Sequence, residues 1–140
     1  MWKMVIADDE QVILNGLKRL LDWEKLGIEI VGEAADGEML LTEIYEKEPD
    51  LVITDIKMPK KTGLDVIKEV QEKEIKTRFI FISGYEEFTY AKDAVRYGAV
   101  DYLLKPVGVE DFASAVKKAL SQLQDTRTIR MFREEKNELQ

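Results

Sequence analysis

Four short apolar runs in this chain each end on a polar side chain capable of chemistry. Lys3-Met4-Val5-Ile6-Ala7 runs into Asp8-Asp9, and Leu51-Val52-Ile53-Thr54 into Asp55. Phe79-Ile80-Phe81-Ile82 runs into Ser83, and Tyr102-Leu103-Leu104 into Lys105-Pro106. Brief β-branched-rich runs separated by helical patterns read as buried parallel strands. In an open α/β sheet the site lies just beyond the carboxyl ends of the strands. Such a fold delivers three carboxylates, a hydroxyl and an ammonium to one rim. Converging acids require a cation, so the rim reads as a divalent-metal site beside an acceptor group.

Between the runs the spacing turns helical. Ile13, Leu17, Leu20 and Leu21 mark a first helix, and Asp22 to Gly27 breaks it, with Gly27 as terminator. Ile28 to Ala34 alternates as a strand near the sheet edge. Leu40, Leu41 and Ile44 mark a second helix, closed before Pro49. Leu64, Ile67 and Val70 mark a third. Phe88, Ala91, Ala94 and Val95 mark a fourth, ending at Gly98, and Phe112, Val116, Ala119, Leu120 and Leu123 a fifth. Right-handed crossovers between parallel strands then give a doubly wound α/β fold, a five-stranded sheet with helices on both faces. Residues 1–124 form this domain. Residues 125–140 are rich in charge and poor in apolar positions, and read as a charged helical extension or a truncated linker to a missing output domain.

Composition removes several functions. A net charge of −7 argues against direct nucleic-acid binding by this chain. Absence of cysteine and histidine excludes disulfides, thiolate metals, thiol nucleophiles and Ser–His triads. No apolar run approaches the ~20 residues of a membrane span, and no signal peptide precedes the first strand. Lack of cysteine fits the cytoplasm.

Taken singly, each rim residue has an ordinary explanation. Asp8 or Asp9 could cap the helix that starts near Gln11. Ser83 could satisfy a backbone group at a strand end, and Lys105 could be a surface lysine, although beside three acids it is their natural counter-ion. Asp55 is harder to dismiss, because a buried acid at the end of a central strand requires partners. The joint occurrence carries the weight.

The motifs Asp8-Asp9-Glu10, Asp55-Ile56-Lys57-Met58-Pro59, Gly63, Ser83-Gly84 and Lys105-Pro106 resemble those of the receiver domains of bacterial two-component response regulators. The resemblance covers approximately residues 3 to 123. Leu21 to Gly27 and Ser83-Gly84-Tyr85-Glu86-Glu87-Phe88 further resemble receivers that precede AraC-type helix-turn-helix DNA-binding domains.

The resemblance implies a flavodoxin-like sheet of strand order 2-1-3-4-5 and a phosphoryl switch rather than an enzyme. Asp55 would accept a phosphoryl group from a sensor histidine kinase, a role a carboxylate can fill. Mg²⁺ would be held by Asp9, Asp55 and the Lys57 backbone carbonyl, with Asp8 acting mainly through water. Lys105 would pair with the acids at rest and with phosphoryl oxygens afterwards. Ser83 would donate its hydroxyl to the new group, and Gly84 would leave that approach open. Tyr102 matches the family's switch aromatic, or is an ordinary half-buried strand tyrosine. Pro106 follows a peptide bond that is cis in relatives. Output, transcriptional in such proteins, would pass through the face of the fourth helix, fifth strand and fifth helix, with homodimerisation on phosphorylation. DNA would be reached only through an absent C-terminal domain.

Two other functions fit an acid-rich α/β rim. A Mg²⁺-dependent phosphatase or phosphotransferase with an aspartate nucleophile would place Asp-x-Asp after the first strand, whereas Asp8 here is followed two residues later by Glu10. A phosphorylation-independent interaction module would be expected to have lost Asp9, Asp55 or Lys105, and none is lost.

Overall fold

Alternate residues of each central strand point to opposite faces, and this chain loads both faces with apolar side chains. In the computed structural model, which describes residues 1–84 and 88–138, the strands are β1 (Trp2–Ala7), β2 (Ile28–Ala34), β3 (Leu51–Asp55), β4 (Arg78–Ser83) and β5 (Asp101–Leu104). The helices are α1 (Gln11–Leu20), α2 (Gly37–Lys47), α3 (Gly63–Glu72), α4 (Phe88–Arg96) and α5 (Val109–Glu138). All pairings are parallel and the sheet order is β2-β1-β3-β4-β5. This is the doubly wound, flavodoxin-like arrangement expected.

Met4 and Ile6, Leu51 and Ile53, and Ile80 and Ile82 pack with Leu14 and Leu17 of α1 and Phe112, Val116 and Ala119 of α5. Val5 and Ala7, Val52, and Phe79 and Phe81 pack on the other face with α2, α3 and Ala94 of α4. The β1–β3 register sets Ala7 against Thr54, and the β3–β4 register sets Asp55 against Ile82. One step beyond Ala7, Asp8 therefore emerges beside Asp55.

Several local devices hold the helices in place. Asp36 caps α2 by accepting the Met39 N–H at 2.8 Å. Thr62 and Asp65 form a reciprocal capping box on α3. The break after α1 is more than a spacer. Trp23 is buried there, donates its indole N–H to the Leu17 carbonyl at 3.0 Å, and meets Phe112 edge-on with centroids 5.9 Å apart.

One expectation needs revision. Val95, placed among the apolar positions of the fourth helix, is 74% exposed, so Ala94 and not Val95 anchors α4. The side chain of Phe88, and Tyr85-Glu86-Glu87, lie outside the described residues. Helix α5 runs unbroken through residues 124 and 125 to Glu138. Its first turn beyond that point touches the domain: Arg78 donates to the Thr126 hydroxyl at 3.1 Å, and the Arg127 guanidinium lies 3.9 Å from the Trp2 ring centroid.

Candidate functional site: an acid rim with one lysine

The sheet order reverses between β1 and β3, where crossovers depart to opposite faces and a crevice opens. Asp8 and Asp55 stand at that crevice, 2% and 7% exposed, while Asp9 faces solvent. Carboxylate oxygens of all three lie within 4.8 Å of one another. Lys105 arrives from the end of β5 and donates to Asp55 Oδ2 at 2.9 Å and Asp8 Oδ2 at 3.1 Å. Its backbone N–H is tied to the Ser83 carbonyl at 2.7 Å, and its bond to Pro106 is cis. Burial opposes the Lys105 charge, but hydrogen bonds and attraction from Asp55 and then Asp8 outweigh it and raise the ammonium above the usual lysine range.

The ordinary explanations for the acids and the serine do not describe this geometry. The N-cap of α1 is Glu10, with no side-chain cap bond, so neither Asp8 nor Asp9 has that role. Asp8 Oδ1 instead accepts the Glu10 N–H at 2.9 Å, which orients its other oxygen toward Lys105. Ser83 is fully buried, and its hydroxyl has no hydrogen-bond partner among the described residues. A buried unmatched hydroxyl calls for a role. Lys105 pairs with two of the three acids and leaves Asp9 open.

The other expected residues surround this core. Lys57 is exposed two positions beyond Asp55. Gly84 is half-buried, and among the described residues none beyond its chain neighbours lies within 4 Å of where a side chain would stand. Tyr102 is half-buried against the core of the α2–α3–α4 face. An apolar groove of about 560 Å³, lined by Val12, Ile13, Leu20, Pro106 and Val107 among others, opens beside Lys105. Two contacts are not legible in the sequence. Thr54 hydrogen-bonds forward along the chain, and Gly63, present in the motif, comes so near Asp55 that a Cβ would lie 2.6 Å from the Asp55 carbonyl oxygen. Nothing in residue type or period announces either contact.

Hard oxygen donors without nitrogen or sulfur ligands suit Mg²⁺ or Ca²⁺ rather than a softer metal. The rim is thus an acidic pocket able to hold a divalent cation. Residues 4–117 match the family model described as the response regulator receiver domain. The chain belongs to that family.

Relatives place this receiver among regulators. It is 41% identical over 123 residues to the uncharacterized transcriptional regulatory protein YesN of Bacillus subtilis, covering 88% of this chain and 33% of YesN. It is 39% identical over 107 residues to the transcriptional regulatory protein HptR of Staphylococcus aureus (strain NCTC 8325 / PS 47), covering 76% of this chain and 42% of HptR. The receiver therefore spans a third to two-fifths of these relatives. Among solved structures it resembles the receiver domain of AraT, a response regulator from Geobacillus stearothermophilus. The TM-score there is 0.84 and the identity 37%, over 90% of this chain and 98% of that one. CheY in a CheX–CheY–BeF₃–Mg complex from Borrelia burgdorferi gives a TM-score of 0.76 and 26% identity, over 85% of this chain and 89% of that one. No helix among the described residues is long and apolar enough to cross a membrane.

Proposed function

We propose that this receiver is a cytoplasmic phospho-acceptor switch, with Asp55 taking a phosphoryl group from the phosphohistidine of a sensor kinase. The observation that carries the reading is Lys105 bridging Asp55 and Asp8 at the mouth of a three-carboxylate cluster. An Asp55 carboxylate oxygen attacks phosphorus, the P–N bond breaks, and its electron pair leaves with the imidazole nitrogen. The product is an acyl phosphate. Such transfer needs positioning and charge neutralisation more than a general base, which suits a chain without histidine.

Asp9, Asp55 and the Lys57 carbonyl would hold Mg²⁺, with Asp8 through water. When bound, the cation offsets the charge shared by the carboxylates and the phosphoryl oxygens. Lys105 exchanges a carboxylate partner for a phosphoryl oxygen, and Ser83 donates its unmatched hydroxyl to another. The apolar groove beside Lys105 offers a seat for the kinase helix that bears the histidine. These assignments rest on donor chemistry and position along the rim.

Output would pass through the α4–β5–α5 face. Lys92, Arg96 and Lys117 are exposed there, Asp93 and Asp101 are half-buried, and Val95 and Leu104 add exposed apolar surface. Mixed charge with apolar islands suits self-complementary pairing about a two-fold axis. Movement of Ser83 toward the phosphoryl group would free space for Tyr102 to turn. In the whole protein the regulated event would be transcription, as the names of YesN and HptR suggest, and DNA would be reached through a domain C-terminal to this receiver.

Incubation with acetyl phosphate and Mg²⁺, followed by intact mass, separates the readings. One phosphoryl group retained for minutes supports the switch. Continuous release of phosphate without an adduct would support a phosphatase, and an unmodified chain an interaction module.

A further inference from the structure

Thr54 is the penultimate residue of β3 and is fully buried. In register it stands between Ala7 and Phe81, on the face that also carries Val52. Valine has the same shape and would fill such a place without a polar atom. A hydroxyl removed from water must find a partner. Thr54 Oγ1 donates to the Asp55 carbonyl oxygen at 2.9 Å and lies 3.6 Å from Met58 Sδ. Both contacts reach forward, into the segment that holds Asp55 and Lys57. From the other side Gly63 closes on the same carbonyl, with room for no side chain, and donates its N–H to the Ile56 carbonyl at 2.8 Å. The Asp55–Ile56 peptide is thereby held between a side-chain hydroxyl and the first residue of α3.

We propose that Thr54 is a positioning residue for phosphoryl acceptance. Its hydroxyl fixes the Asp55–Ile56 peptide and seats Met58, and so sets where the Asp55 carboxylate and the Lys57 carbonyl stand. The role rests on the reading of Asp55 as the acceptor. Thr54 touches neither reacting group, and its loss leaves every charge of the rim in place. It therefore acts on geometry alone, and displacements of ~1 Å at a reacting centre are costly in rate.

The test compares Thr54→Val, Thr54→Ser and the parent, each confirmed as folded by its urea unfolding midpoint. Acetyl phosphate labelling gives the rate at Asp55, and a Mg²⁺ titration followed by the Asp55 amide resonance gives cation affinity. Thr54→Val should be labelled about fivefold or more slowly and bind Mg²⁺ more weakly. Thr54→Ser, which keeps the hydroxyl, should stay near the parent in both. Equal rates and affinities for Thr54→Val and the parent would overturn the proposal, as would equal losses in Thr54→Val and Thr54→Ser. If the parent itself takes no phosphoryl group, the reading of Asp55 fails instead. The Mg²⁺ affinities then decide the Thr54 role alone.

Discussion

Lys105 carries one positive charge into a space shared by three carboxylates, and most of the site's behaviour follows from that imbalance. Like charges at this separation repel and a bound cation relieves them. Mg²⁺ at ~20 times its Kd, binding only the native state, should add roughly 1.8 kcal/mol of stability. Asp55→Asn should raise stability without Mg²⁺ by about 1 kcal/mol, well under the ~4 kcal/mol of a bare pair at 4 Å and ε ≈ 20, since the Lys105 contact weakens too. It should also shrink the metal increment. Thermal melts across a Mg²⁺ titration check both, and a parent indifferent to Mg²⁺ would count against the cation site. A second residue-scale prediction lies on the outer surface. The hydrogen bond from Tyr45, then that from Lys61, holds the Glu69 carboxyl below the usual carboxylate range. A depressed carboxyl contributes stability that is present above its unfolded value of ~4.3 and lost as pH falls through the lower folded value. Tyr45→Phe should move the Glu69 midpoint upward in a carbon-detected NMR titration. An unmoved midpoint would remove Tyr45 as the leading cause.

At the scale of elements, the β3–α3 connection is a tight joint. Gly63→Ala must push against the Asp55 carbonyl at 2.6 Å and the Phe81 ring at 3.0 Å, and should cost about 1–3 kcal/mol. Urea denaturation measures the cost, and a loss under ~0.5 kcal/mol would mean that α3 yields easily. The strands are legible because their apolar runs are short, β-branched and bounded, and because all but β2 run into a chemically useful residue. Sheet order and helix number followed from the alternation and the resemblance. Trp23 was not legible as core, since it sits in a turn where no period marks a buried position. Val95 misled for the opposite reason, an apolar residue at plausible spacing whose side chain faces solvent. In sequence Asp8 and Asp9 are ambiguous between capping and site, and Glu10 as the N-cap of α1 removes the capping role. Helix α5 continues past residue 124, one of two readings open there, because charge-rich sequence reads alike as helix or linker.

For the whole molecule, the proposed switch would link the acidic rim to an output face on the β5 side of the sheet. A local charge change moves an equilibrium only if two states make different contacts. Beryllofluoride with Mg²⁺ should therefore promote a homodimer through α4, β5 and α5, seen by sedimentation. A monomer under both conditions, with amide exchange unchanged over residues 88–96 and at Tyr102, would refute this route of output. Everything downstream presupposes that Asp55 is the acceptor. The most direct measurement is to phosphorylate the chain with acetyl phosphate and Mg²⁺, trap the acyl phosphate by borohydride reduction, and locate the reduced residue by peptide mass spectrometry. The account predicts reduction at Asp55 and none in Asp55→Asn under the same conditions. A trapped residue at Asp8, Asp9 or elsewhere in the parent, or an unchanged yield in Asp55→Asn, would contradict it.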